Sequence, residues 1–346
     1  MDINTVLDYL KNYDGKDINL MEVCGTHTAS ISENAIPSLL SDKIHLISGP
    51  GCPVCVTVSS YIDKLCALAL EKNNVIVTFG DMIRVPGSSK AFKDIKSEGA
   101  DIRMVYSPAE TLNLAKKEKD KTFIFAAVGF ETTTPVYALL IDEARKRNIT
   151  NIKLLTALKT MPMVIDKLCS EDNIIDGFIA PGHVAAITGA NAFETLAQKY
   201  QLPFVVSGFE AEEILASIYA LTKLQNNGKV LNLYKSVVKE NKNEKAYALV
   251  HKYFRVADAA WRGLGIVENS GLILRDEYKS FDAGSDELHE DYSHQKGCCC
   301  GEIITGLKKP MDCPLYKKIC TPENPKGACM VSNEGTCFNY IVNNRG

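Results

Sequence analysis

Seven cysteines, Cys298, Cys299, Cys300, Cys313, Cys320, Cys329 and Cys337, crowd into the forty residues 298–337. Three more, Cys24, Cys52 and Cys55, lie in glycine-flanked segments near the N-terminus, and only Cys66 and Cys169 sit where ordinary core residues would. Cysteine clustered in this way points to a soft metal, to electron transfer, or to both. In the tail, fourteen residues separate Cys298 from Cys313, six separate Cys313 from Cys320, and sixteen separate Cys320 from Cys337. The paired C-x2-C knuckles of a structural zinc site are missing, as is the compact run of a ferredoxin. Four thiolates from scattered loops can still hold a 4Fe-4S cube. Zinc, and disulfides or free thiols, stay open as alternatives.

Gly49-Pro50-Gly51-Cys52-Pro53-Val54-Cys55 follows the strand-like IHLIS and precedes a helical pattern. A C-x-x-C pair at a helix N-terminus suits thiol–disulfide exchange, because the helix dipole stabilises a thiolate there. Half of a zinc site is the plainer alternative. Cys24-Gly25-Thr26-His27 follows INLMEV. A thiolate and an imidazole three residues apart can reach one metal, or the imidazole can deprotonate the thiol. A packed cysteine beside a capping histidine would look the same. Weaker signals are Glu131 and Thr132 in GFETTTP, His183 in PGHV and Glu210 in SGFE, each able to line a cleft or merely to cap a helix. His45 reads as structural. His251, His289 and His294 read as surface or local hydrogen-bonding residues, with His294 a weak ligand candidate. Trp261 reads as a packing anchor. Residues 80–87 lack the Gly-Lys-Ser/Thr end of a P-loop.

These residues need elements to hold them. INLMEV, IHLISG, VIVTFG, IRMVYS, TFIFAAVG, IKLLTAL, DGFIAPG and LPFVVSG are short apolar runs separated by helical patterns. One such pattern is SYIDKLCALALEK, where Ile62, Leu65, Cys66, Leu68 and Leu70 suit a buried face. Continuous apolar strands between helices indicate parallel α/β sheets covered on both faces. Two groups of four strands suggest two α/β lobes, residues 1–118 and 119–270, divided at the solvated run KKEKDK, with a Cys-rich module over 271–346 against which the N-terminal residues can pack. Polar loops end nearly every strand, where open parallel sheets gather ligand sites, so the lobes are expected to face a cleft.

The apolar fraction of 46% and charged fraction of 23% are those of a globular chain. A net charge of -3 without a basic run gives no footing for nucleic-acid binding. The acidic amphipathic N-terminus is unlike a signal peptide, and no apolar run is long enough to span a membrane. A cytoplasmic protein is expected, where a dense disulfide framework is disfavoured.

In order along the chain, MEVCGTHT (21–28), SGPGCPVCVT (48–57), GDMIRVPG (80–87), VGFETTTP (128–135), APGHV (180–184), SGFE (207–210), CGEIITGLKKPMDCPL (300–315) and CTPENPKGACMVSNEGTC (320–337) resemble the HypD family of hydrogenase maturation factors. The resemblance implies two Rossmann-like α/β lobes facing a cleft and a small C-terminal domain with a 4Fe-4S cluster. It implies Cys298, Cys313, Cys320 and Cys337 as cluster ligands and Cys300 with Cys329 as an adjacent redox pair. Cys299 matches a position that need not be cysteine. It further implies that Cys24, with His27 alongside, supplies a thiolate to a transient iron carrying CN and CO ligands. The N-terminal cysteine of a HypC-type chaperone would share that iron, and a HypE-type partner would donate the cyanide. Such a chain would be a monomer working in hetero-complexes on the Fe(CN)2CO unit of nickel–iron hydrogenases, a redox-active assembly factor rather than a conventional enzyme. Electrons would pass from the cluster through Cys300/Cys329 to Cys52/Cys55. Two other readings fit parts of the pattern: a ferredoxin-linked thiol–disulfide oxidoreductase, and a zinc-stabilised interaction protein.

Overall fold

The computed structural model describes residues 2–171, 174–288 and 297–343. All eight strand-like runs are strands: β1 (Ile18–Glu22), β2 (Ile44–Ser48), β3 (Asn74–Thr78), β4 (Asp101–Met104), β5 (Thr122–Gly129), β6 (Ile152–Lys159), β7 (Gly177–Pro181) and β8 (Phe204–Ser207). β9 (Val230–Asn232), β10 (Phe254–Trp261) and β11 (Gly265–Leu274) complete the set. Two sheets form, one ordered β2-β1-β7-β8-β9 and one ordered β10-β11-β6-β5-β3-β4. The first is parallel throughout. In the second, β4, β3, β5 and β6 are parallel, while β11 runs antiparallel to β6 and to its hairpin partner β10. The strands read as apolar runs because helices cover both faces: in β5 every residue from Phe123 to Gly129 is buried. Each buried phenylalanine there contributes about 1.5–3 kcal/mol through apolar burial.

The division expected at Lys117–Lys121 does not separate the sheets. β3, which carries β4 on its other edge, pairs with β5 across that point, and β1 pairs with β7. The chain builds part of the first sheet, crosses to make most of the second, returns for β7–β9, and ends with the β10–β11 hairpin back on the second. Strand composition reports burial, not partners, so the sheet to which each strand belongs was not encoded in the local pattern. KKEKDK is a solvent-facing turn leading from the helix Ala109–Lys117 into β5.

Three further expectations change. The helix Ser59–Leu70 buries Ile62, Leu65 and Cys66, but Leu70 at its end is 54% exposed. The N-terminal helix Ile3–Lys11 packs on the helix Ala211–Lys223, with Val6 and Leu10 beside Ile214 and Ile218, and not on the Cys-rich module. β11, in the second sheet, ends at Leu274, and the residues after it pack on that sheet, where the Ser285 hydroxyl accepts the Thr156 N–H at 2.9 Å.

From Gly297 onward the Cys-rich segment folds as short helices and turns around Ile303, Tyr316, Met330 and Val331, in one apolar core with residues of both sheets. Its last helix, Thr336–Val342, lies against the helix Gly25–Glu33, where the Ser32 hydroxyl donates to Asn339 O at 3.2 Å. Trp261 is buried as an anchor, its indole N–H donating to the Ser270 hydroxyl at 2.7 Å. Cys66 and Cys169 are buried core thiols, both pushed up to about 12 by burial. His45 is exposed on β2, and His289 and His294 lie outside the described residues. No helix among the described residues is long and apolar enough to cross a membrane.

Candidate functional site

Cys24 follows β1 and is the N-cap of the helix Gly25–Glu33, only 8% exposed. Its N–H donates to Glu22 Oε2 at 2.9 Å, and the other oxygen of Glu22 accepts from the Thr28 hydroxyl. Burial raises Glu22 to about 7. The Cys24 thiol is pushed up to about 12, chiefly by burial, against the opposing pull of the His27 and Thr26 amides. A metal arriving at this sulfur would displace its proton. His27 is fully buried; its Nε2–H donates to Gly208 O at 2.8 Å, which fixes the tautomer and leaves Nδ1 an unpartnered acceptor. Burial holds His27 down to about 4, so the ring is neutral. It packs on Phe209, with centroids 4.8 Å apart, and His183 stacks on the same ring at 4.0 Å. The loops EVCGTH, APGHV and SGFE therefore meet at one place.

Glu210 and Glu131 make contacts of their own. Glu210 is exposed at the start of the helix Ala211–Lys223, where its N–H donates to Glu213 Oε2 at 3.1 Å. Glu131 is buried and accepts the Met161 N–H at 2.8 Å, capping the helix Met161–Ser170 rather than the helix that follows its own loop. Thr132 is partly buried, its hydroxyl 3.5 Å from that of Thr133.

Cys52 and Cys55 form a disulfide, both buried. The pair does not occupy a helix N-terminus: residues 53–56 are a turn, and the helix starts only at Ser59. The proline at 53 and the β-branched residues at 54, 56 and 57 favour that turn over helix. The loop abuts the first cysteine, since the Gly25 N–H donates to Gly51 O at 2.9 Å.

In the tail, Cys298, Cys300, Cys313, Cys320, Cys329 and Cys337 line one small void, with Ile303, Tyr316 and Met330 completing its wall. Cys300 Sγ and Cys329 Sγ are 3.0 Å apart, and Cys329 Sγ and Cys337 Sγ 3.6 Å. The Lys326 N–H donates to Cys320 Sγ at 3.3 Å. A Cβ on Gly327 would stand 2.8 Å from Cys298 Sγ, so the residue leaves room for the sulfur side of the void. Cys299 is not in the lining; its sulfur lies 3.7 Å from Lys308 Nζ. The Cys298 thiol is raised by its hydrogen bond to Cys300 and by burial. Among the described residues, no three His, Cys, Asp or Glu side chains close on a single ion. A sulfur-only set spread round an apolar void suits a multi-iron cluster better than one zinc ion.

Two residues that the sequence did not single out tie these stations together. Arg262, buried in the turn between β10 and β11, donates twice to Thr57 O, at 3.1 and 2.7 Å, and once to the Ser59 hydroxyl at 3.3 Å. Its own N–H donates to Val56 O at 2.9 Å. The next residue, Gly263, has φ +81°, and a Cβ there would lie 2.6 Å from the Cα of Gly301, beside Cys300. The second is Glu334, which accepts from the Thr26 hydroxyl at 3.2 Å and packs against Gly25. Burial raises its pKa. Neither position stood out, because an arginine in a glycine turn and a glutamate in a polar loop are ordinary surface patterns. A third, Glu22, lay hidden at the end of an apolar strand.

A family model described as HypD, hydrogenase formation hypA family, matches residues 2–344. The chain belongs to the HypD family. It is 42% identical over 327 residues to a putative hydrogenase expression/formation protein of Methanocaldococcus jannaschii, covering 92% of this chain and 90% of that one. It is 40% identical over 336 residues to the hydrogenase maturation factor HypD of Cupriavidus necator, covering 93% and 89%. Against HypD of Escherichia coli it is 38% identical over 331 residues, covering 93% and 88%. Within this HypD-family chain, five of the quoted loops divide between two places. EVCGTH, GPGCPVC, APGHV and SGFE converge near Cys24, whereas the glutamate of GFETTTP caps a helix of the second sheet.

Proposed function

We propose that this chain is a scaffold for assembling the Fe(CN)2CO unit of nickel–iron hydrogenases, acting with a HypC-type chaperone and a HypE-type cyanide donor. Cys24 would bind the cargo iron as thiolate, a soft ligand suited to low-spin iron with CN and CO. His27, neutral and with Nδ1 free to accept, would ligate the iron or take the proton that Cys24 loses. The observation that carries this reading is the contact between the segments that carry the three cysteine groups. The CPVC loop touches Cys24 through Gly51, and the tail touches the same helix through Glu334.

Cys298, Cys313, Cys320 and Cys337 would hold a 4Fe-4S cluster, which supplies single electrons when bound. The donor set fits that group: the thiols are sulfur neighbours in an apolar void, and thiols of this kind give up protons to a metal. Cys300 and Cys329, 3.0 Å apart, would form the adjacent redox pair. Cleaving a thiocyanate into thiolate and cyanide consumes two electrons. Oxidation of the Cys52 and Cys55 thiols to their disulfide releases two electrons and two protons, so the donor's sulfur leaves as thiolate, cyanide passes to iron, and the S–S bond forms. A disulfide between Cys52 and Cys55, the pairing seen here, would be the oxidised end of that step. Arg262 keeps the loop that carries the pair fixed against the turn beside Cys300.

The test is anaerobic purification of the chain with its chaperone-type partner, followed by infrared spectroscopy and iron counting. Cyanide and carbonyl bands, with iron in excess of about four atoms per chain, are the result expected. A colourless protein holding zinc would defeat the proposal.

A further inference from the structure

Lys159, the last residue of β6, is a buried cation with no anion beside it. It is 3% exposed. Among the described residues its Nζ makes no hydrogen bond or ion pair; it lies over the Trp261 ring, 5.4 Å from the centroid. That ring offers a π-face but no oxygen to accept a proton. The charged group that bears on Lys159 is Arg262, which has the same sign. Leaving such a charge buried and unpaired is costly. Burial and the Arg262 guanidinium hold Lys159 down to about 7, the response of a cation that nothing offsets.

Lys159 lines a cavity of about 160 Å³ between β6, the β10–β11 hairpin and residues 285–288. A cavity of about 150 Å³ is large enough for a molecule of benzene's size. Val58, Ala157 and Leu288 give it an apolar wall. Residues two apart on a strand share a face, so the Lys159 side chain stands on the same side of β6 as Ala157. Thr156 Oγ1, also in the lining, is sealed from contact, but Lys159 Nζ is not among the sealed atoms, so an occupant can reach it. Asp258 and Asp286 are exposed at the rim and do not offset the Lys159 charge; Asp258 accepts the Asn269 N–H at 2.9 Å. No cysteine lines this space.

We propose that this cavity binds a short-chain monocarboxylate, its carboxylate on the Lys159 ammonium and its alkyl part against Val58, Ala157 and Leu288. One carboxylate supplies the missing charge and accepts the unused N–H groups. A dicarboxylate would bring a second negative charge towards Asp258 and Asp286. A neutral alcohol would leave the charge unmet, and an inorganic anion would leave the apolar wall uncovered. The site needs neither iron nor a partner protein.

The experiment titrates the full chain with sodium butyrate, disodium succinate, 1-butanol and sodium chloride. Trp261 is the single tryptophan of the chain and lies under the Lys159 ammonium, so its fluorescence reports on that group. Butyrate should give a saturable change and raise the melting temperature, with each of the other three weaker by about tenfold or more. Lys159→Met, which keeps the length of the side chain and removes the charge, should weaken butyrate by about tenfold or more, read by thermal denaturation and saturation-transfer NMR. Ala259→Leu, which narrows the cavity and leaves the amine in place, should weaken it as well, and this variant carries the test if Lys159→Met fails to fold. No saturable change in the wild type, equal binding of any of the other three probes, or unchanged butyrate affinity in either folded variant would overturn the proposal.

Discussion

Arg262 donates to the carbonyl of Thr57 at 2.7 Å, joining the β10–β11 turn to the loop that carries Cys52 and Cys55. With Gly263 pressed on Gly301, the same turn also reaches the segment carrying Cys298 and Cys300. Removing the guanidinium takes both of its donors from Thr57 O and one contact from the Ser59 hydroxyl. Arg262→Ala should therefore cost about 2–4 kcal/mol of stability, and Arg262→Lys should recover only part of it, since an ammonium cannot form the same forked contact. Denaturant unfolding checks both. Equal stability of the wild type and Arg262→Ala would remove the clamp from the account.

Glu131 provides a stability prediction with a definite sign. Its pKa in the fold, about 7, lies above the usual value of 4.5. The protonated form is therefore favoured by folding, and the stability this gives is fully present below pH 4.5 and lost as pH rises through 7. The stability of the wild type relative to Glu131→Gln should fall across that window by up to about 3 kcal/mol. Urea unfolding of both proteins at pH 4.5, 6 and 8 measures it. A difference that does not change with pH would contradict the burial argument.

The tail distinguishes its cysteines. After anaerobic reconstitution, Cys313→Ser and Cys320→Ser should lose most of their iron. Cys299→Ser should keep it, because Cys299 does not line the void, although its sulfur lies near both Lys308 and the Cys313 thiol. Gly327→Ala should also lower iron content, as its Cβ would crowd Cys298 Sγ. Iron counting and visible absorption decide. Retention by Cys313→Ser with loss in Cys299→Ser would reverse the assignment.

How far the sequence led can be seen at particular residues. The eight strands of β1–β8 were legible because each is a short apolar run, buried on both faces in the inner strands, as Ile124 and Phe125 in β5 are, and partly exposed in the edge strands β2 and β4. Their division between two sheets was not, since the pairing of β1 with β7 spans more than 150 residues and leaves no local mark. The cysteine groups were legible by type and spacing. The turn conformation of CPVC was not, because a helix pattern three residues later suggested a helix start. Cys299 could not be told from its neighbours until the lining of the void was known. Glu22, Arg262 and Glu334 act through contacts made only in the folded chain, so no spacing announced them.

Replacement of one CPVC thiol separates electron delivery from metal binding. Cys52→Ala or Cys55→Ala should block cyanide transfer from the donor protein while leaving cluster iron at wild-type level. The disulfide lies in its own loop, apart from the tail void. Iron counting together with a hydrogenase maturation assay reads both effects. Normal maturation in either variant would rule out this dithiol as the two-electron source.

The most direct measurement of the central claim is infrared spectroscopy of Cys24→Ala, purified anaerobically with its chaperone-type partner. The account predicts that cyanide and carbonyl bands vanish while the iron of the tail remains. Bands of wild-type intensity in that variant would show that the cargo iron is held elsewhere.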